Sequence, residues 1–349
     1  MSSFDIFSTL MFAFRLRWFC GKDSFMSDDH TTGHAPCMLT SLLARHTRIL
    51  AECAVAERLR RTPGVELHPT LFNTPLIYGP KAAREAMEAI YLEYLATARK
   101  ADLPMLLTAP TWRLDAARIA AAGVPPGIAH DAVNFLIALR RRAATEPGPE
   151  VVLGALIGPK NDCYKPELAP DAAAATEFHR PQIAALASTD ADFLLAQTLP
   201  AVGEALGIAT AMANSRKPYI ISFCTGTDGR VLDGTPLPEA MTCIDDAVEK
   251  QPVGYFVNCT HPRFLLDAWP AGTLDRLIGI QANGSSRDVT SLDGSVTTAA
   301  DPLDDWTAAM LQLHHTHRVP ILGGCCGTSL AHLQALAAAE SSTTTTTLA

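Results

Sequence analysis

From about His46 to Ala339, short apolar runs alternate with longer stretches in which hydrophobic side chains recur at helical spacing. Eight runs read as strands: TRILAEC (47–53), PMLLTAP (104–110), VVLGALIGP (151–159), ADFLLAQTLP (191–200), PYIISFCTG (218–226), GYFVNCT (254–260), RLIGIQANG (276–284) and VPILGGCC (319–326). Between them stand alanine-rich segments whose period predicts helices over 81–99, 131–142, 171–187, 202–213, 238–249 and 304–314. A strand with almost no polar residue until its end is buried on both faces, as in a parallel sheet covered by helices. Eight such units in about 290 residues predict an α/β protein with a closed (β/α)8 TIM barrel, and an open doubly wound sheet is the alternative. The first run leads into AECAVAERL and no Gly-rich phosphate loop, which weakens that alternative.

This places a barrel at residues 46–339, after an N-terminal extension (1–45) and before a tail (340–349). The extension contains STLMFAFRLRWF, where arginines interrupt an apolar stretch; an organelle-targeting peptide, a surface helix and a misassigned start all fit it. The tail, SSTTTTTLA, has nothing from which to build a core and is expected to be disordered.

Composition removes several function classes. The net charge of -8, with no basic run beyond Arg140-Arg141-Arg142, leaves no footprint for nucleic acid. No stretch reaches the roughly 18 apolar residues of a membrane span. Nine cysteines without regular spacing do not read as a disulfide framework, so a reducing compartment, the cytoplasm, is expected.

In a (β/α)8 barrel the chemistry sits at the C-terminal ends of the strands. Those ends carry Trp112, Gln197-Thr198, Asn258-Cys259, Asn283 and Cys325-Cys326. Cys259 stands 66 residues before Cys325, so only the barrel brings the three cysteines to one rim. Three thiolates on Zn2+ would leave a fourth position open, as in catalytic sites. Gly323-Gly324 and Gly327 would give the backbone the freedom to turn both neighbouring side chains toward one ion. Buried free thiols acting as small hydrophobes remain the alternative at this point.

VNCTHP (257–262) followed by ILGGCCGTSLAHLQAL (321–336) resembles the zinc signature of the homocysteine S-methyltransferase family. TEFHRPQIAALASTDADFLLAQTLPAVGEALGIA (176–209) and YIISFCTGTDGRVLDGTPLPEA (219–240) resemble its strand-four and strand-five regions, so the likeness spans Ile49 to Ala339. The resemblance implies the barrel, Cys259, Cys325 and Cys326 as ligands of Zn2+, and methyl transfer from an onium donor to the thiolate of homocysteine, giving methionine. S-methylmethionine, S-adenosylmethionine and betaine are the donors it suggests. Trp112 is then a candidate wall for the donor cation. The short chain after the barrel mildly favours a monomer.

The sequence also departs from the family's pattern. The usual Asp-Gly-Gly-Met-Gly-Thr turn after strand one is replaced by Ala51 to Ala56, so side chains are expected to crowd a backbone approach that glycine allows, and Cys53 is expected to line the pocket. Gln197 stands where a glutamate usually holds the substrate ammonium, and Gln281-Ala282-Asn283 replaces Tyr-Pro-Asn ahead of a polar insert reaching Pro302. An intact metal site beside an altered amino-acid site leaves a second reading, a zinc- and thiol-binding protein without catalysis. Asp228 to Gly234 reads as turn chemistry, and His179 as packing or surface. Cys224 reads as a buried thiol, and His314, His315 and His317 as a solvated helix end on the far face. His261 follows Cys259 closely enough to be considered at the site.

Overall fold

The computed structural model describes residues 38–144, 148–292 and 299–339. The STLMFAFRLRWF segment, Cys20, Cys37 and the threonine-rich tail lie outside the described residues. Eight parallel strands close on themselves in chain order: β1 Ile49–Ala51, β2 Met105–Ala109, β3 Val151–Ile157, β4 Phe193–Leu199, β5 Tyr219–Phe223, β6 Gly254–Asn258, β7 Leu277–Ala282 and β8 Ile321–Gly324. Each of the eight apolar runs contains one of them. The expected helices are present as Lys81–Ala101, Ile128–Ala143, Ala172–Ala187, Val202–Ala213, Leu237–Ala247 and Leu303–His317. None of the described helices is long and apolar enough to cross a membrane.

The all-apolar strands resolve into two layers of side chains, because successive residues of a strand face opposite ways. Ile49, Leu106, Val152, Phe193, Ile220, Phe256 and Ile321 pack together inside the barrel. Their neighbours Leu50, Leu107, Leu153, Leu194, Ile221, Val257 and Leu322 pack outward against the helices. The two inward phenylalanines fit because inward positions on adjoining strands are glycines. A Cβ on Gly154 would lie 2.5 Å from Phe193, and one on Gly279 would lie 2.3 Å from Phe256.

One boundary differs from the sequence reading. Met38–Arg45, assigned there to the extension, is a helix whose Leu39 and Leu42 are fully buried in the interior layer beside the first residues of β1, β4 and β8. Arg45 also pairs with Glu150, just ahead of β3, at 2.6 Å. The helix therefore plugs the N-terminal end of the barrel, so Met38–Arg45 belongs to the barrel body. Its eight residues are too few to show the amphipathic period clearly, so only the tertiary contacts reveal the role.

Candidate functional site

The sulfur atoms of Cys259, Cys325 and Cys326 lie within 4.8 Å of one another, the one group of three or more potential metal ligands among the described residues. Cys259 follows the last residue of β6 and is buried, with φ +51°, a left-handed conformation uncommon for a residue with a Cβ. It is held there by N–H donation to Gln281 O at 3.2 Å. Cys325 and Cys326 lie just beyond β8, in the turn that follows it, so the alternation that would aim strand neighbours apart does not apply to them. Cys325 N donates to Ala282 O at 2.7 Å, and Cys326 O accepts from Gly284 N at 2.8 Å. Cys325 is half-buried, whereas Cys326 is exposed.

The glycines around the pair act differently from one another. Gly327 has φ +80°, and its N–H donates to the Glu57 carboxylate at 2.5 Å. Gly323 and Gly324 do not adopt positive φ; they are small because space is lacking. A Cβ on Gly323 would sit 2.8 Å from Ala51 and Glu52 backbone oxygens, and one on Gly324 would sit 2.8 Å from Cys53 Sγ. The expectation that all three supply backbone freedom thus holds for Gly327 alone.

Cys259 Sγ and Cys325 Sγ are 2.7 Å apart, beyond the roughly 2.0 Å of a disulfide. Contact with Cys259, opposed in part by Cys326, and burial together push the Cys325 thiol well above its ordinary pKa. Three crowded thiols cannot all ionise without a counter-charge, whereas a divalent cation reverses that preference and stabilises all three as thiolates.

The sulfurs open onto a cavity of about 780 Å3 at the C-terminal mouth of the barrel. Of the other predicted residues, Cys53, Trp112, Gln197, Thr198 and Asn283 line it as well. Asn258 does not; it is 1 % exposed and works behind the wall. Its Oδ1 accepts from Thr198 N at 2.8 Å and Ser222 Oγ at 2.7 Å, while Nδ2 donates to Thr198 Oγ1 at 2.6 Å and lies 3.6 Å from Cys259 Sγ. Between Ala196 and Leu199, β4 carries one residue more than β5 opposite it. Thr198, at φ +66°, absorbs the extra residue, and Asn258 fixes that conformation. Asn258→Ala is expected to lower stability by about 2–4 kcal/mol, since it strands the buried Thr198 N–H. Urea unfolding monitored by circular dichroism would measure it.

Gln197 donates through Nε2 to Gln281 Oε1, and Gln281 Nε2 in turn donates to Glu52 O at 3.3 Å. The replaced turn after β1 does line the cavity, but its bulkiest groups are tucked into the wall. Cys53 is 1 % exposed and faces Gly324 and Thr328; burial pushes its thiol up to about 12, so it stays protonated. Glu52 is 6 % exposed and receives hydrogen bonds from Thr108 N, at 2.8 Å, and from Thr108 Oγ1. Burial outweighs those bonds and pushes its carboxyl up to about 8. Nothing along the chain signals this, because Glu52 stands out there only as a lost glycine.

The histidines divide as their surroundings dictate. His261 is buried and accepts from Arg263 N at 3.3 Å, capping the helix Pro262–Ala268, with Nε2 3.5 Å from Asp301. His314, His315 and His317 occupy the last turn of Leu303–His317, where His314 Nδ1 meets Val319 O at 2.8 Å on the N-terminal side of β8. His179 is wholly buried against Glu204, at 2.9 Å, and Glu204 also accepts from Lys160 N at 2.7 Å. That unforeseen pair anchors the loop after β3, which lines the cavity. Cys224 is a buried thiol 4.0 Å from Cys259 O.

Beyond this geometry, the sequence model of the homocysteine S-methyltransferase family matches residues 38–339. The chain belongs to that family. As a member it is a methyltransferase. It is 24% identical over 324 residues to the homocysteine S-methyltransferase YbgG of Bacillus subtilis (strain 168), covering 87% of this chain and 98% of that protein. It is 26% identical over 323 residues to the homocysteine S-methyltransferase of Escherichia coli (strain K12), covering 86% and 97%. Among solved structures, the metallated form of the homocysteine methyltransferase MmuM from Escherichia coli shares the fold, with a TM-score of 0.65 at 22% identity, over 86% of this chain and 99% of that one.

Proposed function

We propose that this methyltransferase carries a methyl group from an onium donor to the sulfur of homocysteine, with zinc held by Cys259, Cys325 and Cys326. The observation that carries the reading is the convergence of three thiols from β6 and β8 on the rim of one cavity. The donor set fits the ion. Zn–S bonds of about 2.3 Å set neighbouring sulfurs roughly 3.8 Å apart; the three sulfurs lie within 4.8 Å of one another, and Cys259 and Cys325, at 2.7 Å, would spread by about 1 Å around the ion. When bound, zinc supplies a template on which an incoming thiol is a thiolate at neutral pH.

The chain's own residues then position and shield. Cys259 is fixed by its left-handed backbone and backed by Asn258 Nδ2, while exposed Cys326 marks the side open to ligand. Gln197 and Gln281, linked side chain to side chain, present amide groups in place of a carboxylate, so the wall there offers hydrogen bonds without charge. In the transfer, the acceptor sulfur forms the new S–CH3 bond. The donor's bond to that methyl breaks with its electron pair returning to the onium sulfur or nitrogen, and the thiol proton is released when the acceptor binds. The crowding expected after β1 leaves a cavity of about 780 Å3, a volume in the range of small-molecule sites.

The test is a panel on zinc-loaded protein pairing L-homocysteine with S-methylmethionine, S-adenosylmethionine and betaine, with methionine read by mass spectrometry. Turnover with at least one donor is the expected result. Zinc and homocysteine bound without methionine from any donor would support the binding-only reading instead.

A further inference from the structure

Several charged side chains on the cavity wall are already committed, while Arg60 is exposed and the Lys160 ammonium lies 4.9 Å from the centroid of the Phe178 ring. Glu57 is paired with Arg61, Arg118 with the nearby Asp115, and Asp162 with Lys165 at 3.7 Å. Arg113 differs. Among the described residues its guanidinium makes no hydrogen bond and no ion pair, and its Nε is buried without a partner. Its guanidinium lies over the indole of Trp112, with Cζ 4.5 Å from the ring centroid. That indole is itself immobilised, since Nε1 donates to Gln197 O at 3.0 Å and the ring fills the space left by Gly158. Burial and the charge of Arg118 make the environment unfavourable for a cation, and Asp162 and Asp115 offset this only from a distance.

An arginine stacked on a fixed aromatic plane keeps its planar donor edge in a set orientation, which suits the two oxygens of a carboxylate. The same stacking argues against reading Trp112 as a bare wall for the donor cation, because a cation of the chain already lies on the ring.

We propose that Arg113 is the anchor for a ligand carboxylate in this cavity, with Trp112 as its support. This rests on the methyl-transfer reading, and the chemistry has two sources there: homocysteine and the onium donors each carry a carboxylate. A purely structural role, in which Arg113 covers Trp112, would show no dependence on that group of the ligand.

The experiment compares wild type, Arg113→Gln and Arg113→Lys in zinc-loaded form. Binding of L-homocysteine, S-methylmethionine and the methyl ester of each is measured by calorimetry, beside steady-state turnover. Arg113→Gln is expected to weaken one of the two acids by about 10–100-fold while leaving its ester within about twofold, and whichever acid is affected identifies the source. Arg113→Lys should recover part of the loss. The melting temperature of Arg113→Gln should stay within about 3 °C of wild type, because only the ring contact is removed. Equal losses for acid and ester, no loss at all, or a wild type that binds neither acid would overturn the proposal. The expected binding pattern without methionine from any of the three donors would sustain the anchor and refute methyl transfer.

Discussion

Cys326→Ala is expected to release the metal and, with it, methyl transfer to homocysteine. Structural zinc sites bind with about 10–16 kcal/mol, so one ligand of four accounts for roughly 3–4 kcal/mol, or about 10^2–10^3-fold in affinity. Turnover should fall at least as far, because a neutralised donor set also changes the charge around the acceptor sulfur. The position suits the test, since Cys326 is exposed and its truncation opens no cavity in the core. Loss of metal can therefore be separated from loss of fold. Zinc content by mass spectrometry, competition against a chelator and methionine formation measure the effect, with Cys53→Ala as the control that keeps its zinc. A Cys326→Ala protein retaining full zinc and turnover would remove this residue from the ligand set.

The second large effect concerns Glu52 and pH. In the metal-free protein its carboxyl is pushed up to about 8, against 4.5 for an unperturbed glutamate. The folded state then holds the proton more tightly than the unfolded chain does. The contribution to stability is fully present below about pH 4.5, declines as pH rises, and is gone above about 8. The shift corresponds to roughly 3–5 kcal/mol across that window. Glu52→Gln keeps the shape and removes the titration, so its stability should vary less between pH 5.5 and 8.5 than wild type, with the advantage at the alkaline end. Urea unfolding of both proteins, stripped of metal, at pH 5.5, 7.0 and 8.5 gives the comparison. Parallel curves would show that Glu52 is not the group responsible.

The strands were legible because a parallel barrel buries both faces, which leaves uninterrupted apolar runs such as VVLGALI with polar residues only past their ends. The same pattern located Cys259 and the Cys325-Cys326 pair on one rim, since strand order alone decides which ends meet. What the sequence concealed depends on contacts between distant segments. The extra residue in β4 at Thr198 shows only when β4 is set beside β5. Asn258 was expected at the ligand, yet its amide is consumed in holding that irregularity. Glu52 and Glu204 are buried carboxyls whose partners, Thr108 and His179, lie elsewhere in the chain. No local period announces either pair. Gly323 and Gly324 were recognised as necessary, but the need is room beside β1 and Cys53, which a single chain segment cannot display.

The helix Met38–Arg45 has a consequence for traffic through the molecule. With Leu39 and Leu42 stoppering one end and a packed inner layer above them, the described residues leave the three cysteines facing the mouth at the other end. On the proposed methyl-transfer reading, donor and acceptor would both approach the sulfurs from that mouth. Two ligands sharing one mouth would then bind in an ordered queue, the deeper one first.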